Sequence, residues 1–248
     1  MLCINNPYTD AYFNLAAEEY LLHSFSEDIF MLWQNEPSVI IGKHQNVWAE
    51  VNLDFVREKQ IKVVRRYSGG GAVYHDAGNL NFTFIENNSN ADFDKFSKQI
   101  LKILAKAGVD AKADERRSIT IDGLKISGSA QCIHKNRVMY HATLLFSTDL
   151  LNLSAALLSN PEQLKNSNIT QRSVAVKSVR SSVTNIREYI PGLLQIKDFK
   201  RLVMNYFFDN KMGNQTYSFS KEDEEAIRKL KEQKYSTWNW NFEASYIK

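Results

Sequence analysis

Cysteine is almost missing from this chain. Its 248 residues include two, Cys3 and Cys132, in no CxxC or Cys/His spacing. A thiolate metal centre and a disulfide framework are therefore excluded, and two distant thiols fit a reducing, cytoplasmic setting. Charge of one sign is missing too. The 31 basic and 28 acidic residues leave a net +3, too little to indicate a nucleic-acid partner. No run approaches the roughly 18 apolar residues of a membrane span. The N-terminal stretch carries Asp10, Glu18 and Glu19 where a secretory leader needs apolar residues. No internal repeat, low-complexity tract or clear linker interrupts the sequence.

What is present is ordinary globular material, 44% hydrophobic and 24% charged, enough to build a core. The length suits one large domain, or one domain with a small appendage. Asp10 is placed to cap a helix with Phe13, Ala16, Ala17, Tyr20 and Leu21 on one face. Ile29–Gln34 and Ser38–Ile41 read as strands around Asn35-Glu36-Pro37, and Asn52 as the cap of a short helix through Gln60. Val63 and Val64 begin a strand that runs into a glycine cluster, and Leu80–Ile85 is extended. Phe93, Phe96, Ile100, Ile103, Leu104 and Ala107 repeat at helical spacing and stop at Gly108. Ile119–Ile121 and Leu124–Ser127 flank the hairpin signal Asp122-Gly123, and Met139–Phe146 follows as a strand. Three further helices are predicted: Leu150–Leu158, one around Phe199–Phe207, and the charged Glu222–Gln233. Regular βαβ alternation is absent, so the expected class is α+β, mixed sheets flanked by helices.

Two segments carry chemistry. Arg65-Arg66-Tyr67-Ser68-Gly69-Gly70-Gly71-Ala72-Val73-Tyr74-His75-Asp76 follows a strand. Its consecutive glycines let the backbone approach a ligand with free amides pointing at it. Arg66 could fork onto phosphate or carboxylate oxygens. Neither the Walker A lysine nor the Rossmann spacing is present, and a surface turn is the bland alternative. In the second segment, Lys125 lies between Leu124 and Ile126, ahead of Ser127, Gly128 and Ser129. Alternation sets Lys125 on the face opposite its neighbours. There it either neutralises a ligand anion or snorkels at the surface. His75 and His141 could each bond substrate or cap a buried polar network; His23, His44 and His134 have weaker context.

RRYSGGGAVYHDAGNLNFTFI, then KISGSAQ, then YHATLLFSTDL resemble the lipoate–protein ligase A family, of the biotin/lipoate protein ligase superfamily. FNLAAEEYLL, LWQNEPSVIIGKHQNVWAEV, SVRSSVTNI and WNWNF resemble it in the same order, so the likeness spans essentially the whole chain. It implies one catalytic domain over residues 1–248, with mixed β-sheets flanked by helices, related to biotin–protein ligases. Such enzymes join lipoate to ATP with Mg²⁺, release pyrophosphate and transfer the lipoyl group to a lysine of a lipoyl domain. The implied acceptors are E2 subunits of 2-oxoacid dehydrogenases and the glycine cleavage H protein, in the cytoplasm. By matching position, Arg66, Gly71, Ala72, Val73 and Tyr74 resemble the residues that hold ATP. Lys125 resembles the catalytic lysine that touches both the adenylate phosphate and the lipoyl carboxyl end. Gly70, His75 and His141 fall to the lipoate pocket, and Ser68, Gly69, Asn79, Ser127 and Gly128 shape it. No metal ligand is identified; Mg²⁺ arrives with ATP.

The sequence departs from the family in three places. Arg117 and Ser118 stand where members often carry Asn-Asp. Many members continue beyond the WNWNF-like segment into a small accessory domain, which here is trimmed, supplied by a separate subunit, or absent. Sister acyltransferases use a cysteine in an Asn-Pro-Cys stretch, whereas this chain reads Asn160-Pro161-Glu162. Two alternatives therefore stand beside the ligase. One is a transferase, using preformed lipoyl-adenylate without a thioester or, by thiol catalysis at Cys132, another acyl donor. The other is a non-catalytic binder of lipoate or nucleotide.

Overall fold

The computed structural model describes residues 1–87, 92–158, 176–192, 195–209 and 213–243. In chain order its strands and helices are β1 (Leu2–Asn5), α1 (Ala11–Ser24), β2 (Ile29–Trp33), β3 (Ser38–Ile41), α2 (Val47–Glu50), α3 (Leu53–Glu58), β4 (Lys62–Arg65), β5 (Val73–His75), β6 (Asn79–Asn87), α4 (Asp94–Lys106), β7 (Lys112–Ala113), β8 (Ile119–Ile121), β9 (Leu124–Ser127), β10 (Ser129–His134), β11 (Arg137–Leu145), α5 (Leu150–Ala156), α6 (Ile196–Asp209), β12 (Gln215–Thr216) and α7 (Lys221–Leu230). Two π-helical turns, Lys231–Tyr235 and Asn239–Glu243, end the described chain. The expected α+β class is what is found.

A mixed six-stranded sheet runs β10-β11-β6-β2-β1-β12, a second sheet runs β4-β3-β5, and a third runs β7-β8-β9. Successive side chains of a strand leave opposite faces, and this sorts the large sheet into two environments. Phe30, Leu32, Phe82, Phe84, Tyr140 and Leu144 pack on one side with Phe96 and Ile100 of α4 and Phe199 and Phe207 of α6. Burying each phenylalanine contributes about 1.5–3 kcal/mol relative to exposure. On the other side Met31, Trp33, Ile85 and Met139 pack with α1 and with Ile40 and Val64 of the second sheet. Asn81, Thr83, His141 and Thr143 alternate onto this second side, so the polar positions of two mostly apolar strands share one surface.

Asp10 caps α1 as expected, accepting from the Tyr12 amide at 3.2 Å. The expected single apolar face is not what forms. Ten residues of α1, including Glu18 and Glu19, are buried, because the helix lies between two sheets. The strands around Asn35-Glu36-Pro37 exist, but β2 joins the large sheet and β3 the small one. The Asp122-Gly123 turn pairs Ile121 with Leu124, with φ of +50° and +78° at its centre. These positive values define a two-residue hairpin that aspartate–glycine favours.

Arg65 is fully buried and ties the chain's end to its middle. Its guanidinium donates to the carbonyls of Gly42, Lys43 and Gln45 at 3.0, 3.1 and 2.8 Å. It also donates to those of Trp240 and Asn241, each at 2.9 Å. Replacing a buried donor by an apolar group leaves its acceptors unsatisfied at about 1–3 kcal/mol each. Arg65→Met is expected to lower unfolding free energy by about 3 kcal/mol or more, read as a shifted urea midpoint; an unshifted midpoint would contradict this assignment.

Candidate active site

The glycine cluster links β4 to β5, and Arg66 decides its shape. Its buried guanidinium donates to the carbonyls of Gly69 and Gly71, the latter at 2.8 Å, to Ile40 O at 3.2 Å and to Ser68 Oγ at 3.1 Å. Burial pulls this guanidinium down to about 10, with Glu18 opposing the shift. Gly70 has φ +88°, and a Cβ there would meet the Arg66 guanidinium at 2.8 Å. A Cβ at Gly42 would meet Gly70 O at 2.0 Å. The loop is thus a fixed turn wrapped around a cation, not a loose surface turn.

Lys125 sits on β9, half-buried. Its main-chain amide donates to Ser182 O at 2.8 Å, and its carbonyl accepts from the Thr184 amide at 3.1 Å. Residues 182–184 thus run along β9 as the end of a strap, residues 176–185, whose start bonds His44, Gln45, Glu50 and Ala72. Burial lowers the pKa of the ammonium, opposed by the field of Asp114 and aided by that of Arg116. A Cβ at Gly128 would stand 3.1 Å from Lys125 Nζ, so glycine there leaves the amine room.

Two adjoining cavities meet at this lysine. The first, about 240 Å³, has an inner end of Leu15, Trp33, Ile40, His75 and Asn81. The second, about 460 Å³, is lined by Tyr74, Leu145, Leu153 and Leu157, with Lys177 and Arg180 of the strap and one carboxylate, Glu50. Both contain Ala72, Val73, Lys125, Gly128, Thr143 and Ser178 in their walls. A smaller cavity with Arg66 and Arg116 in its walls and a larger one with Arg180 and Glu50 therefore share two ammonium groups, those of Lys125 and Lys177.

Of the residues singled out from the sequence, Arg66, Gly71, His75 and His141 line the first cavity, and Tyr74 and Ser127 the second. Ala72, Val73, Lys125 and Gly128 line both. Ser68, Gly69, Gly70 and Asn79 line neither. Ser68 and Gly69 bond Arg66, and Asn79 donates to Asn81 Oδ1 at 2.9 Å, behind the wall. Asn160-Pro161-Glu162 lies outside the described residues. Arg117 turns away and pairs with Asp94 of α4 at 2.9 Å. Ser118 and Arg116 line the first cavity, their amides held by Asp114 Oδ1 at 2.8 and 2.9 Å.

Sequence reasoning missed Glu18, Gln45, Glu50 and Thr143, and gave the strap no role. A buried chain of hydrogen bonds backs the first cavity. Trp33 Nε1 donates to Thr83 Oγ1 at 2.8 Å, which donates to Glu18 Oε1 at 2.6 Å. His141 Nδ1 reaches the same carboxylate at 2.9 Å, and His141 Nε2 lies 2.7 Å from Ser68 Oγ. Asn35 Nδ2 lies 3.0 Å from His75 Nδ1, which places the His75 proton on Nε2. His75 is held neutral, its pKa pushed down to about 3 by burial, Arg66 and His141. Cys132 lines neither cavity, and burial pushes its thiol up to about 12, helped by Glu18 and Glu19.

The fold and paired cavities define a domain able to hold two ligands side by side at Lys125. Residues 10–208 match the family model of the lipoyl protein ligase A/B catalytic domain. The chain is 42% identical over 243 residues to lipoate–protein ligase 1 of Staphylococcus aureus, covering 96% of this chain and 72% of the relative. A Thermoplasma acidophilum structure described as a bi-partite lipoate protein ligase and its E2 lipoyl domain superposes with a TM-score of 0.79 at 28% identity. It covers 97% of this chain and 95% of that one. Ta0514 of the same organism, solved with lipoic acid, and a lipoate-protein ligase A bound with ATP each give 0.79 at 26% identity, covering 97% and 98%. This chain belongs to the lipoyl protein ligase A/B catalytic-domain family.

Two outcomes follow from the shifted His75 and Cys132 groups. His75 has a folded pKa below the unfolded reference of about 6.5, so the unfolded chain binds more protons between these values. Its contribution is intact above about pH 6.5 and is lost as pH falls toward 3. His75→Gln is therefore expected to flatten the decline of the urea midpoint between about pH 6.5 and 4; a wild-type slope in the variant would contradict the burial assignment. At pH 8 the Cys132 thiol is almost wholly protonated. Iodoacetamide should label it at least about 100-fold more slowly than a free thiol of reference pKa near 8.5, by mass spectrometry of the folded protein.

Proposed function

We propose that this chain activates lipoate with ATP and transfers the lipoyl group to a specific lysine of lipoyl-domain proteins. The observation that carries the reading is Lys125, whose ammonium belongs to the walls of both cavities. The buried end of the smaller cavity, at Leu15, Trp33 and Ile40, suits an acyl chain of low polarity, and the larger cavity, with Arg180 beside the shared Lys125 and Lys177, suits a nucleotide. On this reading Tyr74 serves the nucleotide side, His75 and His141 the acyl side, and Ala72 and Val73 both; Gly71, expected on the nucleotide side, lines the first cavity. Arg66 serves both by holding the loop.

In the first half-reaction a carboxylate oxygen of lipoate attacks the α-phosphorus of ATP. The new P–O bond forms as the bond to the bridging oxygen breaks, and pyrophosphate leaves with that electron pair. In the second, the unprotonated amine of the acceptor lysine attacks the acyl carbon. A C–N bond forms, the C–O bond to AMP breaks, and the amine loses a proton. Negative charge grows on phosphoryl oxygens in both steps, and a fixed ammonium stabilises it without solvent reorganisation. Mg²⁺ enters with the nucleotide. Among the described residues no group of three or more His, Cys, Asp or Glu side chains could hold a metal; Mg²⁺ would come as its nucleotide complex and would offset phosphate charge.

The acceptors we propose are E2 lipoyl domains and the glycine cleavage H protein. The first is supported by the Thermoplasma protein, described with its E2 lipoyl domain. That relative, described as bi-partite, also supports residues 1–248 acting as the catalytic unit beside an accessory part. We place the reaction in the cytoplasm, where ATP is supplied. Among the described residues no helix is long and apolar enough to cross a membrane.

The test is direct. Incubating the protein with lipoate, MgATP and an apo lipoyl domain is expected to add one lipoyl mass to the acceptor. Lys125→Ala should slow both pyrophosphate release and transfer by about 100-fold or more. Undiminished rates in either half-reaction would remove Lys125 from its role.

A further inference from the structure

We propose that Ser178 is a catalytic residue, its hydroxyl donating a hydrogen bond to the α-phosphoryl oxygens as their charge grows. This rests on the ligase reading above. Ser178 lies on the strap and lines both cavities beside Lys125.

A serine hydroxyl offers one donor and two lone pairs. Here both lone pairs are taken. The Ala72 amide donates to Ser178 Oγ at 2.8 Å, and Gln45 Nε2 donates at 3.0 Å. The Gln45 amide cannot be read the other way round, because its Oε1 accepts the Gly42 amide at 2.9 Å. An amide N–H only donates, so the Ala72 bond has one sense. Ser178 Oγ is therefore acceptor to two fixed donors, and its own proton finds no acceptor among the described residues.

The rest of the residue is equally constrained. Its main-chain amide donates to both oxygens of Glu50, at 3.2 Å each. Glu50 is buried at the C-terminal end of α2, and Gln45 is fully buried. A Cβ at Gly71 would fall 3.1 Å from Ser178 Oγ, so glycine keeps the hydroxyl's approach to the loop open. The result is a single O–H, held from three sides, at the junction of an acyl slot and a nucleotide slot. Preorganised donors of this kind act where charge develops. The α-phosphoryl oxygens gain charge when the carboxylate attacks phosphorus, and again when AMP departs. One donor can therefore assist both half-reactions. The serine keeps its proton throughout and forms no covalent bond. Glu50 and Gln45 are positioning residues that act through Ser178.

The experiment compares Ser178→Ala, Ser178→Thr and Glu50→Gln in two assays. One is lipoate-dependent ATP–pyrophosphate exchange; the other is transfer from purified lipoyl-adenylate to an apo lipoyl domain. Ser178→Ala should lower kcat about 100-fold in both, with KM for ATP changed by no more than about threefold. Ser178→Thr should recover most of the loss. Glu50→Gln, which loosens the strap but keeps the hydroxyl, should raise KM for ATP more than it lowers kcat. A Ser178→Ala enzyme within about twofold of wild-type kcat in both assays overturns the assignment, with the ligase reading intact. Equal kcat losses in Ser178→Ala and Glu50→Gln also overturn it, in favour of strap order alone. A wild-type chain inactive in both assays overturns the ligase reading and this inference together.

Discussion

Everything at this site depends on the Arg66 guanidinium, buried behind the glycine loop and saturated with carbonyl oxygens. A main chain that gives up its carbonyls inward has its other polar face turned outward. That is how a run of glycines, with no side chains of its own, acquires a definite shape. Lysine could not substitute, because a planar fork is needed to gather Ile40, Gly69 and Gly71 at once. Arg65, one residue earlier, does the same for the preceding turn and the final aromatic segment. Adjacent residues on a strand point to opposite sides, so two consecutive arginines organise two different shells.

Buried acids complete the arrangement. Glu18 and Glu19 are adjacent on α1 and both buried, yet they serve different neighbourhoods. Glu18 faces Thr83 and His141 behind the first cavity. Glu19 pairs with Lys234 at 2.7 Å and accepts from Tyr235. Burial and Glu19 raise the Tyr235 phenol well above its usual range. Desolvating carboxylates is costly unless each is paired or bonded, and here each is. The same arrangement bears on the rival thiol chemistry, since two nearby carboxylates disfavour a thiolate at Cys132.

Much of this was legible in the sequence, for physical reasons that differ by element. The Asp10 and Asn52 caps and the Asp122-Gly123 turn are local chemistry, so short windows suffice to see them. The glycine cluster and Lys125 stood out by composition and by their family likeness. Other features are set by partners distant in sequence. α1 reads as amphipathic because nothing local says that the large sheet will take Glu18 and the Lys231–Tyr235 turn will take Glu19. β1 has four residues and owes its existence to parallel neighbours β2 and β12. The inward turn of Asn81, Thr83, His141 and Thr143 follows from alternation, but only once β6 and β11 are paired in register. Glu50 and Gln45 look like ordinary surface polar residues until a segment more than 120 positions later lies over them.

The pairing of the strap with β9 has one more consequence. Both main-chain polar groups of Lys125 are engaged by Ser182 and Thr184. The residue's side chain and its backbone are thereby reporting on the same object. Deuterium uptake at that one amide therefore reads the persistence of its bond to Ser182 O.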